Sequence, residues 1–248
     1  MEAYAMTDVG RVRSRNQDYV YCSPDPVGSL ENLFLVADGM GGHRAGDYAS
    51  RFMAEGLNTY VSKHRGASAV KVLGDGIRQI NGELYDVSMN NSALSGMGTT
   101  LVAATTEGNT LYVANVGDSR LYLLRDKHMI QITRDHSYVE EMVALGQMER
   151  NSRDYLQRKN IITRAVGVRN HVEADFFEEE LLAGDLILMC SDGLSNMLGD
   201  DELVFFLEGQ GSLKQKAQKL ISQANDRGGY DNIAVIVIDP QIGEVGPC

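Results

Sequence analysis

Six short apolar runs punctuate the chain: Leu33–Ala37, Thr99–Thr105, Leu111–Val116, Leu121–Leu124, Leu186–Cys190 and Ile233–Ile238. Runs of this length read as buried strands. Elsewhere the period lengthens. Ala45, Ala49, Phe52, Met53, Leu57, Tyr60 and Val61 recur at three- and four-residue spacing, and Leu73, Ile77, Ile80, Leu84 and Val87 do the same. A third stretch joins Leu213, Ala217, Leu220, Ile221 and Ala224. These three predict helices with one apolar face. Leu111 to Leu124 reads as a hairpin turning at Gly117-Asp118, which implies antiparallel pairing. The first two helices follow one another without a strand between them, unlike a doubly wound parallel sheet. The pattern predicts an α+β layering, with helices covering antiparallel sheets.

With 248 residues, the chain is long enough for a sizeable core. No repeat, low-complexity segment or proline-rich linker divides it, so 1–240 reads as a single domain. Gln241 to Cys248 loses the apolar periodicity and reads as a frayed tail. The net charge of −11 opposes binding to nucleic acid and to anionic membranes. Cys22, Cys190 and Cys248 form no CxxC pair, which argues against a disulfide scaffold or a zinc site. No apolar stretch approaches the ~18 residues of a membrane span, and Met1 to Arg15 contains no signal-peptide core. A cytoplasmic setting is the expectation.

The chemistry lies in where the aspartates fall. Asp38 and Asp192 each end an apolar run and precede a glycine. Asp118 follows Gly117, Asp231 leads into Asn232 and the last apolar run, and Asp18 opens Tyr19-Val-Tyr-Cys22. Asp-Gly alone is a common turn signal. Five carboxylates at strand mouths are another matter, because carboxylates gathered at one rim repel unless a cation sits between them. Oxygen ligands suit Mg²⁺ or Mn²⁺.

Six segments then occur in order: Thr7-Asp-Val-Gly-Arg-Val-Arg-Ser-Arg-Asn-Gln-Asp18, Asp38-Gly-Met-Gly-Gly-His43, Gly98-Thr-Thr100, Asn115-Val-Gly-Asp-Ser-Arg120, Ser191-Asp-Gly-Leu194 and Gly229-Tyr-Asp-Asn232. Together they resemble the metal-dependent protein phosphatases (the type 2C family) in their bacterial single-domain form. The resemblance implies a β-sandwich of two antiparallel sheets flanked by helices, with a two-cation centre at one end. It implies that Asp38 bridges two Mn²⁺ or Mg²⁺ ions, with the Gly39 carbonyl on one of them. Asp192 and Asp231 would hold the first ion, and Asp118 a third, weaker one. Arg13 would grip the substrate phosphate, with Asp18, Gln17 and Asn232 supporting the site. The implied reaction is hydrolysis of phosphoserine and phosphothreonine by direct attack of a water bridging the cations. The implied partners are phosphorylated proteins and an opposing Ser/Thr kinase, with the phosphatase a monomer. The segment 137–160, polar and poor in strands, would be a substrate-selecting flap.

Two positions depart from the family pattern. Gln17 stands where many relatives carry Glu, and Met40 stands where animal relatives carry a histidine proposed as general acid. His43 is near in sequence, but a turn role suits it better. His136, Asn115, Arg120 and Arg164 read as structural residues. A non-catalytic phosphoprotein-binding module of the same fold is the alternative reading, and a plain metal-binding protein a third. The joint presence of Asp38, Asp118, Asp192, Asp231 and Arg13 favours the enzyme.

Overall fold

The structure is a computed structural model that describes residues 1–42 and 45–243. The chain runs β1 (Glu2–Asp8), β2 (Asp18–Ser23), β3 (Leu33–Met40), α1 (Ala45–Lys63), α2 (Ala69–Asn90), β4 (Gly98–Thr99), β5 (Leu101–Glu107) and β6 (Thr110–Val116). It continues through β7 (Arg120–Arg125), β8 (His128–Gln131), α3 (Tyr138–Ala144), α4 (Arg153–Arg158), β9 (Asp175–Glu180) and β10 (Leu186–Cys190). The last elements are α5 (Asp192–Ser195), α6 (Asp200–Glu208), α7 (Leu213–Asp226) and β11 (Ile233–Asp239).

The strands form two antiparallel sheets. One has the order β1-β11-β10-β7-β8, and the other β2-β3-β5-β6-β9, with β4 added beside β3. Alternation along each strand divides its side chains between two cores. In β3, Phe34 and Val36 pack between the sheets while Leu35 meets α1 and α2. In β11, Ala234, Ile236 and Ile238 face the opposite sheet while Val235 and Val237 meet α6 and α7. Central strands are thus buried on both faces, which explains their unbroken apolar runs. The result is four layers, helix–sheet–sheet–helix.

The hairpin expected at Gly117-Asp118 is not there. β6 pairs with β5 and β9 in one sheet, whereas β7 pairs with β10 and β8 in the other. Gly117-Asp118-Ser119 is a corner that carries the chain between sheets. Apolar character on both faces of each strand gives no clue to which neighbour it pairs with. Tight hairpins lie at Gly108-Asn109, between β5 and β6, and at Asp126-Lys127, between β7 and β8. The run Thr99–Thr105 is interrupted at Thr100, whose N–H donates to the Asp38 carbonyl at 2.9 Å. His43 and residues 244–248, which include most of the expected tail, lie outside the described residues.

Candidate active site

Strand ends from both sheets meet at one end of the sandwich. Asp18 opens β2 and Asp38 lies directly opposite it in β3, as register partners. Asp192 begins α5 just after β10, and Asp231 stands just before β11. The approach of α5 to β11 depends on Gly193, where a Cβ would lie 1.9 Å from the Asn232 carbonyl oxygen. Asp118 enters from the corner between β6 and β7.

These carboxyls share one electrostatic environment. Burial, then Asp18, Asp192, Asp118 and Asp231, hold the Asp38 carboxyl well above the usual carboxylate range. Asp18, Asp192, Asp118 and Asp231 all lie close enough to Asp38 for their charges to act on it. Burial pushes Asp18 up to about 7, and burial with Asp192 and Asp135 pushes Asp118 up to about 8. Asp192 is raised by burial and by Asp231. Buried carboxyl groups clustered in this way need a shared proton or a cation between them.

The residues present fit divalent cations. Oδ1 of Asp18 and Oδ1 of Asp118 are buried and have no hydrogen-bond partner. Among the described residues, no three His, Cys, Asp or Glu side chains close into a preformed cage. Mg²⁺ and Mn²⁺ take a few carboxylates and keep several waters, so they do not require such a cage. Gln17 Nε2 is also buried without a partner; as a donor it suits a water oxygen rather than a cation. The Gly39 backbone lies against α1, where a Cβ would meet the Gly46 carbonyl oxygen at 2.1 Å, and its N–H donates to the Gln17 carbonyl at 3.1 Å.

Supporting residues lock this geometry. Asn232 Oδ1 accepts from the Gln17 N–H at 2.8 Å, and its Nδ2 donates to the carbonyls of Val9 and Arg15. Asn232 therefore pins the loop that carries Arg13 and Gln17. His136 Nδ1 accepts from the Gly117 N–H at 3.0 Å, and Asn115 Nδ2 donates to the Arg134 carbonyl at 2.9 Å, which fixes the corner bearing Asp118. Arg120 forms a bidentate pair with Asp135, and Arg164 pairs with Asp175.

Two further supporting residues lie within the motifs themselves. Thr100 Oγ1 accepts from the Asp38 N–H at 3.0 Å, and Ser191 Oγ donates to Asp18 Oδ2 at 2.6 Å. Their position beside the aspartates in short motifs was the available signal. Met40 offers no acidic proton beside Gly39.

Arg13 and Asp231 are not independent. Arg13 Nη2 donates to Asp231 Oδ2 at 2.8 Å, so the expected phosphate grip rests on an expected cation ligand. Both side chains are substantially exposed, and such pairs are worth at most about 1 kcal/mol. Arg13→Ala is expected to tighten Mn²⁺ binding by no more than about fivefold. It should lower kcat/KM for a phosphopeptide roughly 10–100-fold, the worth of a charged hydrogen bond. Calorimetric Mn²⁺ titration checks the first effect, and weaker binding in the variant would contradict the competition.

Comparison with known proteins decides the lineage. The protein phosphatase 2C family model matches residues 3–142, more than half of the chain. The chain belongs to the protein phosphatase 2C family. The serine/threonine phosphatase stp of Listeria monocytogenes serotype 4b is 38% identical over 255 aligned positions, covering 99% of this chain and 98% of that protein. That similarity runs past Asp192 and Asp231, which the family match stops short of. The crystal structure of serine/threonine phosphatase Stp1 from Staphylococcus aureus superposes with a TM-score of 0.88 at 33% identity, covering 96% of this chain and 95% of that one. The catalytic domain of the phosphatase PstP, solved with two manganese ions, gives a TM-score of 0.82 at 35% identity, covering 95% and 96%. The 2C fold of two antiparallel sheets flanked by helices is the fold seen here.

Proposed function

We propose that the acidic cleft hydrolyses phosphoserine and phosphothreonine of proteins, with Mn²⁺ or Mg²⁺ held by Asp38, Asp192 and Asp231 and a weaker cation at Asp118. The chain is a serine/threonine phosphatase of the 2C type, in keeping with its relatives over nearly its full length. One observation carries the assignment of the site: Asp38 lies opposite Asp18 across β2 and β3, with Asp192, Asp118 and Asp231 close enough to raise its carboxyl further.

A phosphate group carries nearly two negative charges at neutral pH. A cleft of five carboxylates repels it unless cations offset them. Bound divalent cations supply that offset and lower the pKa of water enough to make a nucleophile near neutral pH. The chain's own residues do the rest. Asp38 comes from β3 and Asp192 from the start of α5. Ser191 and Thr100 hold Asp18 and the Asp38 backbone in place. Gln17 presents an N–H donor to water at the rim, and the Arg13 fork meets two phosphoryl oxygens at once. Burial pushes the Cys22 and Cys190 thiols up to about 11 and about 12, so neither supplies a thiolate nucleophile. That supports direct attack by water. With Met40 beside Gly39, the leaving hydroxyl takes its proton from solvent.

The partners on this reading are phosphorylated proteins and an opposing Ser/Thr kinase. Both sheets contribute carboxylates, so the site needs 1–240 to fold as one unit, and one chain supplies every residue of it. Among the described residues no helix is long and apolar enough to cross a membrane. Unpaired Cys22 and Cys190 fit a reducing, cytoplasmic setting.

The segment 137–160 acts as a flap on this reading. It carries α3 and α4 and returns at Ile162, which bridges to Ser137. Tyr155, Leu156, Lys159 and Asn160 line a cavity of about 280 Å³ together with Asp118 and Asp192. The buried Glu140 clasps the segment, accepting from Tyr155 Oη at 2.8 Å and from Arg150 Nη2 at 2.5 Å. Glu140→Ala removes both hydrogen bonds, a local cost of about 0.5–1.5 kcal/mol each, since water reaches the freed donors. It is expected to speed amide deuterium exchange across 145–160 and to raise KM for phosphopeptides. Unchanged exchange there would refute the clasp.

The test of the function is release of phosphate from a phosphothreonine peptide by wild type and Asp192→Asn. We expect turnover that falls more than about a hundredfold in the variant, beyond the cost of losing a residue that merely supports a metal ligand. Near-wild-type turnover would remove Asp192 from the site. A folded wild type without turnover would favour the phosphoprotein-binding module.

A further inference from the structure

Beside the acid cluster lies a second cavity, of about 430 Å³, whose lining includes Met40, Ala165, Val168, Val172, Arg169 and His171. It joins the site through β3. Met40 is two residues beyond Asp38, about 7 Å along an extended strand. Its floor exists because position 98 is glycine: a Cβ there would lie 2.6 Å from Val168 Cγ2 and 3.5 Å from Met40 Cγ. Met40 and Val168 therefore close over the Gly98 backbone as one apolar surface.

The charged rim is distinctive on a chain of net charge −11. Arg164 is engaged by Asp175 and by the Glu173 carbonyl, and His171 Nε2 is 3.6 Å from Glu173 Oε1. The Arg169 side chain has no hydrogen-bond or ion-pair partner among the described residues; only its carbonyl is used, by Asn81. An unpaired guanidinium above an apolar floor matches a ligand with an aliphatic body and a nearby carboxylate.

We propose that this cavity is a specificity subsite for the substrate polypeptide, taking an aliphatic side chain about two residues from the phosphoresidue while Arg169 meets an acidic residue next to it. The proposal rests on the phosphatase reading of the acid cluster and names the sequence class that cluster would serve. An extended peptide advances about 3.3 Å per residue, so two residues span the distance from the cluster to Met40. Specificity thereby rests on residues 162–173 in addition to the flap.

The test compares phosphothreonine peptides carrying Leu or Gly two positions from the phosphothreonine, on either side, with Glu or Lys beside it. p-Nitrophenyl phosphate serves as a substrate too small to reach the cavity. For wild type we expect kcat/KM about tenfold higher for Leu with Glu than for Gly with Lys, on one side only. Arg169→Glu should shift the preference from Glu to Lys, Val168→Asp should erase the preference for Leu, and Arg169→Lys should keep the wild-type order. Hydrolysis of p-nitrophenyl phosphate should stay unchanged in all three, which also shows that they are folded. Equal rates for all peptides in wild type, with p-nitrophenyl phosphate still hydrolysed, would overturn the subsite and leave the phosphatase reading standing. Loss of every activity in wild type would overturn both.

Discussion

Asp38→Asn is expected to lower phosphatase turnover by more than about a hundredfold and, in the same protein, to raise the melting temperature of the metal-free form at pH 8. The two effects share one cause. The Asp38 carboxyl is hemmed in by Asp18, Asp192, Asp118 and Asp231, and burial and these neighbours disfavour its charge. Without a cation, a charge there costs stability, because buried like charges are poorly screened. Asparagine keeps the shape and removes the charge. With Mn²⁺ present the order reverses. At about a thousand times its dissociation constant, a ligand bound only by the folded state stabilises by about 4 kcal/mol, or roughly 10 °C in a chain of this size. The variant should lose most of that gain. A variant whose metal-free form melts lower than wild type at pH 8 would contradict the account, as would one that keeps the Mn²⁺ response.

The second large effect is on pH. Asp18 and Asp118 titrate near 7 and 8 in the folded chain, against about 4 for an unfolded aspartate. Their folded pKa values are raised, so the folded state holds protons that the unfolded state has released. The stability they contribute is fully present below about pH 4 and is lost as pH rises through 7 and 8. Chelator-treated protein should therefore melt at progressively lower temperature from pH 5 to pH 8. Cations compete with protons for the same oxygens, so the Mn²⁺-induced shift should grow over that range. Differential scanning calorimetry at several pH values, with and without Mn²⁺, reads both slopes. A flat metal-free profile would mean that the carboxylates do not share one buried environment.

The elements that could be read from the sequence were those buried on two faces. β3, β6, β10 and β11 announce themselves as unbroken apolar runs, and α1, α2 and α7 by their periodic stripes. The strands absent from the six predicted runs are β1, β2, β8 and β9, and these are the four sheet edges. An edge strand buries less of itself and carries polar residues, as Asp175–Glu180 does, so its pattern is weak. The Gly117-Asp118 corner was misread as a hairpin because local residues specify a turn, while pairing depends on partners far along the chain.

The aspartates were legible because each borders an apolar run, a recurrence that folding alone does not require. The Ser191–Asp18 bond spans 173 residues, and Arg13–Asp231 spans 218. Contacts of that separation have no local signature. The cavity over Gly98 was likewise hidden, since only the fold brings 162–173 against β3.

The most direct measurement is phosphate release from a phosphothreonine peptide by the wild-type chain, first in chelator and then with Mn²⁺ restored, with bound Mn²⁺ counted in the same samples. We predict no turnover in chelator, recovery on adding Mn²⁺, and at least two ions bound per chain at full activity. Undiminished turnover in chelator, or full activity without bound Mn²⁺, would contradict the claim that this acid cluster works as a metal-dependent phosphatase site.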